Sequence, residues 1–202
     1  NPNNPTGGWL RAIELEGFIA DLPPHVMVVV DEAYFEYVVE DDYPDTTRWL
    51  AHYPNLIVTR TFSKAYGLAG LRVGYAVSHP DVANLLNRVR QPFNVNLVAQ
   101  AAALAAVDDR QHIADSVRHN AAGMQQMEAG LRALGLDWID SVGNFICVDT
   151  GRPAIDVYQA LLREGVIVRP VANYELPQHL RITIGQAEEN TRCLDALEKV
   201  LG

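Results

Sequence analysis

The sequence predicts an α/β fold with a mainly parallel sheet, followed by a small α+β C-terminal domain. Three observations lead there. In the first half, short runs of β-branched and apolar residues alternate with stretches of helical period or long connections. The first of those runs, Val26 to Val30, is apolar at every position, as expected of a parallel strand covered on both faces. Beyond about residue 106 the texture changes to a long Ala-rich helical stretch, then to short strands and single helices.

Taken in order, helical spacing runs from Trp9 to about Asp21 and is stopped by Pro23 and Pro24. The strand at 26–30 comes next, with further strands at 55–60 (NLIVTR) and 72–78 (RVGYAVS). A helix starts after the cap region Ser78–His79–Pro80–Asp81 and runs to about Arg90. From Asn96 to about Leu134 the pattern gives two long helices broken near Val107–Asp109. The remainder reads as a strand at 144–149, a helix at 154–165, strands at 166–171 and 180–185, and a final helix from Ala187. The expected division is a partial large domain over 1–106 and a small domain over 107–202.

Composition excludes several function classes. Sixteen Lys and Arg against 25 Asp and Glu leave a formal net charge of −9, which disfavours a general nucleic-acid or anionic-membrane binder. Hydrophobic residues at 49% with 20% charged are enough to bury a core, so disorder is not expected. No apolar run approaches the roughly 20 residues that span a bilayer. Two cysteines, Cys147 and Cys193, argue against a disulfide scaffold and fit a reducing cytoplasm. The six histidines show no metal-ligand spacing, so no metal site is expected. The chain opens at Asn1, inside the turn-rich NPNNPTGG, with no signal-peptide features. It therefore reads as the C-terminal part of a longer protein.

The polar residues of the first half gather at predicted strand ends, where α/β sheets bind ligands. The strand at 26–30 delivers Asp31, Glu32, Ala33 and Tyr34, and the strand at 55–60 delivers Thr61, Phe62, Ser63 and Lys64, with Arg72 just beyond. An aspartate directly after five apolar residues is expected to be partly buried and to need a cationic or hydrogen-bonding partner; a structural ion pair or a helix cap would serve equally. A lysine followed by Ala65–Tyr66–Gly67–Leu68–Ala69–Gly70 is either an ordinary surface residue or, if desolvated, a Schiff-base nucleophile. Ser63, Thr61 and Arg72 around it offer hydroxyl and guanidinium donors for a phosphate. The glycine spacing does not match a nucleotide-triphosphate loop.

Three motifs in register, NPNNPTG at 1–7, DEAY at 31–34 and TFSKAYGLAGLRVG at 61–74, resemble the fold-type I pyridoxal-phosphate aminotransferases, and most closely the histidinol-phosphate aminotransferase branch. The resemblance continues through NFICV, VIVRPV and LRITIG. It implies pyridoxal 5′-phosphate as cofactor, with Lys64 as the catalytic lysine that takes the cofactor's aldehyde. Asp31 would pair with the ring nitrogen, Asn4 and Tyr34 would bond the ring's 3′ oxygen, and Ser63 and Arg72, assisted by Thr61, would grip the phosphate. Arg181 would bind the substrate's acidic group, with Arg169 as a second donor for a phosphate. Asn144 matches a family position without an assigned role.

The implied reaction is transfer of an amino group from glutamate, with a phosphate-bearing 2-oxo compound as acceptor, in histidine biosynthesis. The implied setting is a cytoplasmic homodimer without nucleic-acid or membrane partners. Aromatic amino-acid aminotransferases and threonine-phosphate decarboxylase share these motifs. An effector-sensing module of a transcription regulator is the alternative from another class. The family's N-terminal segments are absent from the string, so the fragment alone is expected to be inactive.

Overall fold

The computed structural model describes residues 1–202, which divide into two compact units. The first comprises Asn1–Pro2 and Trp9–Ala114; the second comprises Asn3–Gly8 and Asp115–Gly202. The division thus falls inside a long helix, and a short N-terminal segment belongs with the C-terminal unit.

In the first unit, helix α1 (Ala12–Asp21) starts three residues later than its apolar spacing suggests, because the Glu14 carboxylate folds back to accept from the Arg11 amide at 2.9 Å and from its guanidinium at 2.7 Å, which fixes the first turn. Strand β1 (Val28–Asp31) pairs in parallel with β2 (Leu56–Thr61), and β2 pairs antiparallel with β3 (Gly74–Ser78). The sheet of this unit is therefore mixed. Leu15 and Ile19 of α1 pack on Val28, Val30, Leu56 and Val58, with Trp49, Leu50 and Tyr53 closing the edge.

The other face of that sheet is uncovered. Val29 is 59% exposed, so β1 alternates buried and exposed rather than being buried on both faces. Asp31 shares the open face with Val29, which is why it is exposed and not partly buried as its sequence neighbours suggest. Helix α2 (Pro80–Val89), capped by the His79 ring accepting from the Asp81 amide, buries no residue. Helix α3 (Leu97–Asp108) is capped by Asn96 and ends at Asp109, where the sequence placed the break before α4 (Arg110–Ala133).

The second unit holds a four-stranded sheet in the order β4 (Asp137–Ile139), β5 (Phe145–Asp149), β7 (His179–Thr183), β6 (Arg169–Pro170), all antiparallel. Strand β4 was not read from the sequence; DWI is too short to show a period. The expected strand at 166–171 shrinks to two residues, because Val166 is drawn into the core beneath helix α5 (Ala154–Arg163) instead of extending the ladder. Met127 and Leu131 of α4, Leu161 of α5 and Leu197 of helix α6 (Ala187–Leu201) close over Ile146, Val148 and Leu180. No helix of the structure is long and apolar enough to cross a membrane.

Cys147 and Cys193 are free and buried in this unit, and burial pushes both thiols up to about 11. Both should therefore resist a thiol reagent at about pH 8 while folded and react once unfolded in denaturant. Because the folded-state values are raised, the unfolded chain releases these protons first. Stability should be intact below pH 9.0 and fall as the pH rises toward about 11, as followed by urea midpoints.

Candidate active site

In the first unit the ends of β1 and β2 lie side by side, with Asp31 opposite Thr59 in the ladder and the Glu32 amide extending it to the Thr59 carbonyl at 2.8 Å. This parallel register sets where the chain leaves each strand. After β1 the Asp31 carboxylate accepts from the Ala33 amide at 3.0 Å, turning the chain so that the Tyr34 ring is buried. After β2 the chain turns back on itself: the Thr61 hydroxyl accepts from the Ser63 amide at 3.1 Å, and the Leu68 amide donates to the Phe62 carbonyl at 2.9 Å. Phe62 and Ala65 are buried on either side, so Lys64 is presented from an anchored turn. Its amine sits 5.2 Å from the centre of the Tyr34 ring, which brings the DEAY and TFSK motifs into contact.

Arg72 closes the cluster. Its backbone is left-handed, with φ of 54°, a conformation that a non-glycine residue adopts only when its surroundings impose it. The guanidinium donates to the Ala69 carbonyl at 3.0 Å and lies 3.4 Å from the Ser63 hydroxyl. A half-buried hydroxyl beside an exposed guanidinium suits an anion such as a phosphate. Thr61 faces a different partner: its hydroxyl is committed to the turn through the Ser63 amide.

Beneath these residues lies a group that motif and periodicity did not single out. Glu32 is 1% exposed and receives Arg60, whose Nε donates to Glu32 Oε2 at 2.8 Å and whose Nη2 reaches Asp45 Oδ1 at 2.7 Å. Thr46 donates to Glu32 Oε1 from its hydroxyl at 2.5 Å and its amide at 3.3 Å, and the Phe35 ring lies 3.5 Å under the guanidinium. The signal was there to see: opposite charges stand two residues beyond the end of one apolar strand run and at the last residue of the next. A further missed contact is His112 of α4, whose Nε2 lies 3.1 Å from the carbonyl of Ala65, next to Lys64.

The second unit carries its own polar cluster. Arg169 on β6 and Arg181 on β7 are directly paired in an antiparallel ladder, so both side chains leave the sheet on one face. Like charges directly opposite destabilise a sheet unless something anionic joins them. They line an open cleft of about 550 Å³ together with Tyr158, Pro170 and Thr183. Arg181 donates from Nη1 to Asn4 Oδ1 at 2.6 Å and stands 5.3 Å from the Phe145 ring centre, while its buried Nε has no partner. Asn4 is held there because the Gly7 carbonyl accepts from the Val142 amide at 3.1 Å, pinning the NPTG turn to the second unit. Asn144 contributes its carbonyl to the Ile184 amide, a structural bond. Of the residues singled out, Lys64, Tyr34, Ser63 and Arg72 thus cluster in one unit beside the strand end that bears Asp31, and Asn4, Arg169 and Arg181 cluster in the other.

The first unit thus sets a lysine on a turn at a parallel strand end beside the aspartate-bearing end of the neighbouring strand and an arginine–serine pair with donors for an anion. The sequence pattern of the family described as aminotransferase class I and II matches residues 1–197, and the chain belongs to that family. Among its relatives, histidinol-phosphate aminotransferase 2 of Pseudomonas fluorescens is 66% identical over 201 residues, covering 100% of this chain and 54% of the relative. The enzyme of the same description from Pseudomonas aeruginosa is 63% identical, again over 100% of this chain and 54% of the relative.

Among solved structures, histidinol-phosphate aminotransferase from Sinorhizobium meliloti in complex with pyridoxal-5′-phosphate superposes with a TM-score of 0.89 at 34% identity, over 100% of this chain and 56% of that one. L-threonine-O-3-phosphate decarboxylase from Porphyromonas gingivalis superposes with a TM-score of 0.85 at 26% identity, over 100% and 62%. The chain spans about half the length of the curated relatives it matches.

Gly7 has a φ of 84°, and a Cβ built there would fall 2.0 Å from the Ser141 hydroxyl. Gly7→Ala should cost at least about 1–2 kcal/mol from the left-handed backbone alone. Lower urea midpoints in the variant would check this.

Proposed function

We propose that this chain is the lysine-bearing part of a pyridoxal-phosphate-dependent histidinol-phosphate:2-oxoglutarate aminotransferase, with glutamate as amino donor, and that the complete protein is a cytoplasmic homodimer. The large, cofactor-binding domain takes in the first unit and the small domain takes in most of the second. The observation that carries the reading is the anchored turn holding the Lys64 amine at the Tyr34 ring, with the Arg72 guanidinium reaching Ser63 of that turn. Family membership and 66% identity to a histidinol-phosphate aminotransferase support it.

The donor set fits the cofactor. Bound pyridoxal phosphate supplies an electron sink that stabilises negative charge on the substrate carbon. Ser63 and Arg72, 3.4 Å apart, would hold its phosphate through a hydroxyl and a guanidinium. Asp31, at the end of β1, would keep a proton on the ring nitrogen by presenting a negative charge to it. Tyr34, beside the Lys64 amine, would bond the ring's 3′ oxygen. Lys64 would hold the cofactor's aldehyde group in the resting enzyme, and its amine, when free, would serve as the base that carries the proton of the substrate carbon.

Arg181 and Arg169 bind the acidic end of the substrate. Their shared face and like charge fit a doubly charged phosphate, and the same pair can take a carboxylate of glutamate in the other half-reaction. The partnerless Nε of Arg181 leaves one donor of that fork unspent. A phosphate-recognising pair is equally suited to a threonine-phosphate decarboxylase, and the likeness at 26% identity keeps that as the second reading. Turnover of the complete protein with histidinol phosphate and 2-oxoglutarate, against carbon dioxide release from threonine phosphate, separates the two.

In the complete protein with added pyridoxal phosphate, borohydride reduction should place a stable label on Lys64, and Lys64→Ala should give no label and no visible lysine–cofactor band. Asp31→Ala should retain cofactor and lose turnover by about 100-fold or more. Arg169→Ala should raise KM for a phosphate-bearing substrate by about 10-fold, an effect expected of one charged hydrogen bond, with a smaller change for glutamate.

A further inference from the structure

Asp31 and Lys64 can work on one cofactor only if the ends of their strands are held against each other. Asp31 is exposed, and its carboxylate bonds the Ala33 amide two residues on, a local turn that cannot fix the end of one strand against the next. The contact that does so runs on the opposite, buried side of the strand ends. Glu32 is the residue after Asp31; Arg60 is the residue before Thr61, four before Lys64. Their side chains meet at 2.7 Å with Arg60 bonded through two nitrogens. The register of β1 on β2 gives the same result in the main chain, since the Glu32 amide donates to Thr59.

We propose that Glu32, Arg60 and Asp45 form a positioning device that locks the ends of β1 and β2 so that the Asp31 carboxylate and the Lys64 amine keep their catalytic separation and orientation. This inference rests on the assignment of Asp31 and Lys64 to the cofactor. None of the three touches the reacting groups in the structure; each acts through the strand ends it holds.

Three features favour this over a device for stability alone. A buried ion pair is a weak source of stability, because the cost of desolvating both ions offsets their attraction. Its members are instead fully specified in direction: Arg60 is held by two carboxylates and a ring, and Glu32 by Arg60 and both donors of Thr46. The cluster also stands immediately against the two catalytic strand ends and not elsewhere along the same strands, where Val28, Val30, Leu56 and Val58 pack by shape.

The charge state of the cluster is settled by its own contacts. Burial acts to raise the Asp45 carboxyl, and the bonds from Thr47 and Arg60 outweigh it and hold it below its usual value. Burial likewise acts to lower Arg60, and its two carboxylate partners outweigh that. The other titratable groups around the guanidinium are Glu36 and Tyr43, both pushed up by burial.

The test uses the complete protein loaded with pyridoxal phosphate. Borohydride labelling of the wild type on Lys64 comes first; its absence would sink the cofactor assignment and this proposal with it, whereas its presence makes the variants a test of positioning alone. Glu32→Gln keeps the shape and the bonds from Thr46 but removes the charge that Arg60 needs. It should lower kcat by about 10- to 100-fold, the scale of a small misplacement, with KM within about twofold. It should also move the pH midpoint of the cofactor's visible band by about half a unit or more, since Asp31 and Lys64 set that midpoint together.

Should Glu32→Gln not fold, Asp45→Asn gives the same reading in a milder form, because Arg60 retains Glu32. There the midpoint should shift in the same sense as kcat falls by about threefold or more. A folded variant whose thermal unfolding temperature drops while its band midpoint and kcat match the wild type would overturn the proposal and leave the cluster as a structural support.

Discussion

The parallel pairing of β1 with β2 is the constraint on which the first unit depends. Four paired positions, from Val28 on Leu56 to Asp31 on Thr59, put the two strand ends at one level. Everything chemical in that unit is then a matter of which residues come off those ends. Asp31 and Tyr34 come off one strand, Lys64 and Ser63 off the other, and the contact of Lys64 with the Tyr34 ring is a consequence of the level register. A slip of one residue would turn Val28, Val30 and their partners out of the core and carry the motif residues to the wrong face. Burial of those valines against α1 thus specifies the chemistry several residues away.

The two units solve the problem of charge in different ways. In the first, Arg60 is partly buried, with its charge answered by two carboxylates and an aromatic face. Such a group is fixed, and its surroundings are a scaffold. In the second, Arg169 and Arg181 stand opposite one another in a ladder, with an asparagine for company and one buried nitrogen unused. Such a pair keeps donors that an anion would suit. The same residue type therefore reads as structure in one place and as recognition in the other, according to whether its donors are spent.

The NPNNPTG segment shows how local turn chemistry can serve distant ends. Asn1 exchanges bonds with Leu10, and its carbonyl accepts from the Tyr43 hydroxyl at 2.7 Å, within the first unit. Gly7 accepts from Val142 and is packed so closely on Ser141 that no side chain fits, within the second. Composition predicts a turn there and nothing more; the division of its residues between two units is a tertiary outcome.

Much of the fold was legible because periodicity reports burial. The helices from Pro80, Leu97, Arg110, Ala154 and Ala187 fall close to where their caps and apolar spacing place them. The strand at 166–171 and the missing β4 were not legible, because two- and three-residue strands owe their existence to a neighbour's edge and not to their own pattern. The motifs named Lys64, Asp31, Tyr34, Ser63 and Arg72 as a set, since residue type and order along the chain are what a motif records. The exposure of Asp31, the cluster of Glu32, Arg60 and Asp45, and the bond from Arg181 to Asn4 were decided only by the tertiary structure. The physical reason is separation along the chain: Glu32 and Arg60 are 28 residues apart and Asn4 and Arg181 are 177 apart, and no local propensity carries information over such distances.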